Sequence, residues 1–200
     1  RRSLLLTIAK EIGVLKSDGE SGWKPTKTAV SWLRASRESQ LRQLIDGWSN
    51  SGWNELRRTP GLICEGDGWQ NDPILARTAL LDVLPRDGEW FSLDALTAVV
   101  QQENPDFQRP DGDYGTWYIR DSESNIYLSG FEQWEAVEGR LLRYLLQTPM
   151  RWLGMVEGAG DVYRLTPRTL AWLADIAPAA EEVRVPIVVQ KDGRLLIPFN

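Results

Sequence analysis

Histidine is absent from the 200 residues. That removes the commonest general base, every Ser–His or Cys–His nucleophile pair and most zinc sites. Cysteine occurs once, at Cys64, so no internal disulfide framework can form, and a reducing cytoplasm suits the chain. No apolar run approaches the length of a membrane span. The opening RRSLLLTIAKEIG meets Lys10 and Glu11 after a short apolar stretch, which is not a signal-peptide pattern. No GxxxxGK[ST] loop occurs, which excludes nucleotide binding by that route. No carboxylate pair comes with a cleft signal or a partner residue for acid–base or glycoside chemistry. The reading is therefore non-catalytic, with no catalytic residue, no metal and no cofactor.

What the chain does have is a repeat. One passage runs from Ile12 through Ile-Gly-Val-Leu, a Ser-Asp-Gly-Glu-Ser-Gly turn and WKPTKTAVSWL to Leu33. The other runs from Leu153 through Leu-Gly-Met-Val, a Glu-Gly-Ala-Gly turn and DVYRLTPRTLAWL to Leu173. Trp23 falls on Tyr163, Lys24 on Arg164, Thr26 on Thr166, and Trp32-Leu33 on Trp172-Leu173. An apolar strand, a Gly/Asp turn and a returning strand predict a hairpin. The Thr after it predicts a capped helix. An amphipathic helix placed just before such a hairpin makes the unit the back half of a winged helix. With 42% hydrophobic residues and ten Trp, the chain can build the cores that two such units need.

The walk along the chain gives an α+β, mostly helical fold: tandem winged-helix (winged helix-turn-helix-like) domains plus a C-terminal β-hairpin. Residues 1–58 read as a partial winged helix with following helices. Leu4, Leu5, Ile8 and Ile12 stripe the first helix, and Leu41, Leu44, Ile45 and Trp48 stripe a helix from Glu38 to Ser49. No helices precede the first one, whereas a winged helix needs two more upstream of its wing, so this unit reads as starting inside a domain of a longer protein. Residues 59–72 read as a linker. Residues 73–177 read as a complete unit. Asp72 caps its first helix ahead of Pro73, and Ser92 caps its second, with Leu93, Leu96, Val99 and Val100 inward. Its third helix, Phe131 to Leu146, carries Trp134, Val137, Leu141 and Leu145 on one stripe. An insertion at 104–130 is aromatic enough to pack, with a strand pair at Thr116–Arg120 and Asn125–Leu128. Residues 178–200 read as a linker and a β-hairpin belonging to a following region.

Residues Trp90 to Leu173 resemble bacterial proteins that carry an XPB-like helicase C-terminal (helicase-associated) region. The segments that carry the likeness are FSLDALTAVV, NPDF, RPDGDYGTWYIRD, GFEQWEAVEGRLLRYLL and WLGMVEGAGDVYRLTP. The resemblance implies tandem winged helices and a link to DNA repair or transcription. It implies no motor activity, because no helicase motor motif occurs here.

Net charge is −5 but unevenly spread. Residues 1–59 carry eleven Lys/Arg against six Asp/Glu, whereas residues 60–123 carry four against thirteen. Only the N-terminal segment has an electrostatic case for phosphate contact. Wings touch the DNA backbone, which makes Arg1, Arg2, Lys10, Lys16, Lys24 and Lys27 the candidate nucleic-acid contacts, with double-stranded DNA as partner. The second copy looks structural or protein-binding. Glu132, Glu135 and Glu138 start its third helix, where acids suit the helix dipole, and Glu157 and Asp161 flank its turn. Trp117 and Tyr118 are the candidate contacts for a protein partner, alongside the acidic middle. Asp106, Asp111, Asp113 and Asp121 miss the EF-hand spacing and read as a solvated loop. The alternative function is a protein–protein docking module without nucleic-acid contact.

Overall fold

The computed structural model describes residues 1–19, 22–109, 111–177, 188–189 and 195–196. The architecture is α+β. Helix α1 (Arg2–Glu11) leads into the hairpin β1 (Leu15–Asp18) and β2 (Gly22–Pro25). Helices α2 (Lys27–Arg34) and α3 (Arg37–Ser49) follow, and α3 packs on α1. After β3 (Leu62–Cys64) come α4 (Pro73–Val83), β4 (Phe91–Ser92), α5 (Leu93–Glu103) and β5 (Ile119–Asp121). Helix α6 (Arg140–Leu145), hairpin β6 (Val156–Ala159) and β7 (Val162–Leu165), and helix α7 (Pro167–Leu173) complete the second copy. Strands β8 (Val188–Val189) and β9 (Leu195–Leu196) pair antiparallel, within the C-terminal hairpin read from the sequence.

The repeat holds at the level of single hydrogen bonds. Val14 N–H donates to Ala9 O at 3.0 Å, and Met155 N–H to Met150 O at 2.8 Å. Thr26 N–H donates to Val14 O at 3.0 Å, and Thr166 N–H to Met155 O at 3.0 Å. Between each helix and its hairpin stands a glycine with positive φ, Gly13 at 70° and Gly154 at 68°. That backbone is cheap only without a Cβ, which explains why both copies keep glycine there. Pairing follows the same register in both hairpins: Leu15 opposes Pro25 where Val156 opposes Leu165, and Ser17 opposes Trp23 where Gly158 opposes Tyr163.

Capping follows the expectation except once. Asp72 accepts from the N–H groups of Ile74 and Leu75, and Ser92 from that of Ala95. Thr166 accepts from Thr169 N–H, but Thr26 makes no side-chain cap. Thr26 Oγ1 instead donates to Gly13 O, tying α2 to the α1 exit, and Thr166 Oγ1 repeats that bond to Gly154 O.

Residues 59–72, expected as a linker, contain β3 and the buried Trp69. β3 pairs antiparallel with β5, so the insertion's main partner strand comes from outside it. Of the strand pair expected within the insertion, one bridge forms, Arg120 to Tyr127. Apart from Val14 and Ala29, the buried apolar residues among those described form one continuous cluster from Leu4 to Leu165. Trp134, Val137, Leu141 and Leu145 lie in it as expected. Val99, expected inward, is exposed, because the buried face of α5 is Leu93, Leu96, Thr97 and Val100. The third helix is not uniform: wide turns at Glu135–Gly139 and Leu146–Met150 flank α6. Pro149 lies within the second, where a wider turn accommodates the missing N–H.

Glu138, expected on the acidic helix start, is fully buried. Arg109 Nε donates to its Oε1 at 2.6 Å and Gln108 Nε2 to the same oxygen at 3.1 Å. Arg77 is buried likewise, gripping Glu55 through Nε and Nη2 and the carbonyls of Trp48 and Ser51 through Nη1. Desolvation raises the carboxyl pKa of both Glu55 and Glu138. The two copies are clamped through α3 and α7: Arg168 forks onto Glu38 at 2.7 Å twice, and Trp172 Nε1 donates to Asp46 Oδ1 at 2.6 Å.

Candidate nucleic-acid interface

The first hairpin is built so that its two faces differ. Neighbouring strand residues point to opposite sides. Trp23 faces the side of its cross-strand partner Ser17, and Lys16 and Lys24 share the other side as direct partners. All six basic residues expected at a phosphate surface, Arg1, Arg2, Lys10, Lys16, Lys24 and Lys27, are exposed.

Their surroundings separate them. Lys24 Nζ reaches Asp18 Oδ1 at 2.5 Å, an exposed ion pair that solvent screens. Among the described residues, Lys10, Lys16 and Lys27 make no ion pair. Arg1 lies over the Trp152 ring, its guanidinium carbon 5.7 Å from the ring centre, so it is engaged within the molecule. Arg2 lines an apolar cleft with Leu5, Leu6, Ala9 and Leu15, and Leu15 faces the side of the hairpin opposite Lys16 and Lys24. The structure thus brings Lys16 and Lys24 together in register, with Lys27 in the first turn of α2.

The second hairpin makes the contrast. The positions of Lys16 and Lys24 are held there by Glu157 and Arg164, which pair at 2.6 Å. Asp161 in its turn reaches Arg143 at 3.5 Å. That hairpin is internally neutralised.

The acidic loop residues are occupied by local structure. Asp106 accepts from Tyr114 Oη at 2.6 Å, and the Tyr114 hydroxyl is raised well above its ordinary pKa, first by burial and then by this bond. Asp113 accepts from the N–H groups of Gly115 and Thr116. Asp121 accepts from those of Glu123 and Ser124 and from Arg140 Nη1 at 2.8 Å. These bonds hold its carboxyl far below the usual range, the Ser124 N–H contributing most.

Trp117 and Tyr118, expected as exposed partner contacts, part company. Trp117 is partly buried and stacks on Trp69 with ring centres 4.8 Å apart, while Arg109 covers it at 4.2 Å. Its place is packing the insertion onto residues 59–72. Tyr118 remains 61% exposed, edge-on to Tyr127. The residues that sequence reading missed are the buried Arg77, Arg109 and Glu138, whose burial depends on partners distant in the chain.

No family model matches the chain, and neither a curated protein nor a solved structure is similar to it. No described helix is long and apolar enough to cross a membrane.

Proposed function

We propose that the two helix–hairpin–helix units are tandem winged helices and that the chain works without catalysis, holding duplex DNA against its first hairpin. The observation that carries this reading is the register pair Lys16–Lys24. Like charges set directly opposite on a strand pair cost stability, and the solvent-exposed Lys24–Asp18 ion pair offsets that cost only in part. The equivalent pair in the second copy, Glu157–Arg164, shows that the same scaffold accommodates a neutral pair. A phosphate between two lysines would reverse that cost, because each neutralised phosphate also releases condensed counterions. Lys27 and Lys10 extend the positive face to either side in sequence. The resemblance to helicase-associated proteins supports the same reading, with the work done beside DNA in the bacterial cytoplasm. The acidic 60–123 region favours no phosphate contact.

Replacing Lys24 and Lys27 together with Glu tests it. Binding to any duplex should weaken regardless of sequence, and its salt dependence should flatten. Unchanged affinity in a low-salt titration removes the hairpin from DNA binding.

A further inference from the structure

Lys27, Ser31 and Arg34 stand at i, i+4 and i+7 on α2, on the side opposite Ala29, the buried residue of that helix. The two cations are about 10 Å apart along the helix axis. Ser36 then caps α3, and Arg37 follows in its first turn. From Gly22 to Arg37 the chain carries Lys24, Lys27, Arg34 and Arg37 and no acid. All four are exposed. Lys24 reaches Asp18, whereas Lys27, Arg34 and Arg37 make no ion pair among the described residues. Glu38, beside Arg37 in sequence, is already held by the Arg168 fork.

Helix stability does not account for these cations. Lys27 and Arg37 stand at the N-terminal ends of α2 and α3, where the helix dipole disfavours positive charge. The second copy puts Pro167 at the Lys27 position, an ordinary first residue for a helix. Ala171, Ala174 and Ala177 take the positions of Ser31, Arg34 and Arg37. The charges it does carry over the matching residues 162–177 are neutralised: Arg164 pairs with Glu157, Arg168 with Glu38 and Asp175 with Arg42. In that copy β4 pairs with the hairpin and leads into α5, and Pro167, Ala174 and Ala177 are exposed all the same. The strand and helix that precede a unit therefore leave this stripe open to solvent.

We propose that the outer stripe of α2 and Arg37 carry the phosphate-contacting surface beyond the hairpin, with Arg34 and Arg37 each holding a backbone phosphate of duplex DNA. This rests on the DNA reading of the first hairpin and adds a second contact region to it. A guanidinium presents a planar fork of donors that matches two phosphate oxygens, and each contact also releases condensed counterions. Such contacts carry no sequence information, so they position the duplex without selecting it. Contact at the lysine pair and again along α2 fixes the direction in which the duplex runs across the first copy. The uncharged stripe of the second copy has nothing to offer a phosphate.

The test is the slope of log affinity against log salt for a fluorescently labelled duplex, measured by anisotropy on the whole chain. Arg34→Gln/Arg37→Gln should lose about two units of slope, at about 0.9 per phosphate contact. Arg34→Lys/Arg37→Lys keeps both charges and should restore most of that loss. Arg86→Gln, which removes an exposed charge preceding the second copy, should keep the parent slope. The melting temperature of the Gln variant should not fall, because neither side chain has an ion-pair partner to lose and Arg37 opposes its own helix dipole. If Lys16→Gln/Lys24→Gln loses slope and Arg34→Gln/Arg37→Gln does not, the stripe proposal is overturned and the hairpin reading stands. If the parent shows no salt-dependent binding, the hairpin reading fails and the stripe fails with it. Vesicles containing phosphatidylserine give the remaining outcome. If they bind the parent more tightly than the duplex does and lose affinity in the Gln variant, the stripe faces an anionic membrane surface, which also overturns the proposal.

Discussion

Lys16 and Lys24 face each other across the first hairpin at the register position that a Glu157–Arg164 ion pair fills in the second. Two copies of one scaffold therefore treat the same cross-strand site in opposite ways. The scaffold needs neither arrangement to close the hairpin, since the backbone register is shared. Lys16→Glu should convert the first pair into the second kind. The variant should melt higher at low salt, gaining roughly 0.2–1 kcal/mol of stability. Its duplex affinity should fall. A stability gain with no change in binding would mean that the lysine pair carries no function.

Thr26 and Thr166 separate the interhelical bond from the cap. Both donate to a glycine carbonyl, but only Thr166 also caps its helix. Thr26→Val loses one hydrogen bond and should cost about 1 kcal/mol. Thr166→Val loses the cap as well and should cost about 1 kcal/mol more. Chemical denaturation of both variants reads the difference. Equal losses would show that the Thr169 bond contributes nothing.

Sequence reading succeeded where the signal was local. Gly13 and Gly154, the Ser92 and Asp72 caps, and the Trp134 stripe each rest on spacing within one helix or one hairpin. It failed where the partner was remote. A Glu at the third position of an acidic helix start reads as solvated, and only Arg109, far back in the insertion, makes the burial of Glu138 tolerable. Trp117 sits in a polar loop that predicts exposure, but Trp69 offers it a stacking face. The pairing of β3 with β5 has no sequence signature beyond the short stretches LIC and IRD, the second of them mostly charged.

The Arg109–Glu138 pair carries a stability prediction. Arg109→Ala leaves a buried carboxylate unpaired and should cost roughly 3–5 kcal/mol near neutral pH. The double variant Arg109→Met/Glu138→Leu should cost less than the single one, because no charge is then stranded. Because burial raises the carboxyl pKa of Glu138, the single variant should recover part of its loss as pH falls through that raised value and the acid takes up a proton. A double variant less stable than Arg109→Ala at neutral pH would show that the pair contributes more than the charge cancellation described.

Asp121 works in the opposite sense. Its folded pKa is depressed by the Ser124 and Glu123 N–H groups and Arg140, so its contribution exists above the ordinary carboxylate range. It is lost as pH falls through the depressed value. Asp121→Ala should therefore be less stable than the parent at neutral pH, and the two melting curves should converge in strong acid. A gap that stays constant with pH would mean the side chain acts by shape alone.

The claim that the first hairpin is the DNA-contacting face is tested most directly by the salt dependence of duplex binding. Three proteins are compared: the parent, Lys16→Gln/Lys24→Gln, and Glu157→Gln/Arg164→Gln. The slope of log affinity against log salt counts the phosphates neutralised, at about 0.9 per contact. The first double variant should lose about two units of slope, and the second should match the parent. A parent that shows no salt-dependent binding, or a first-hairpin variant with an unchanged slope, contradicts the account.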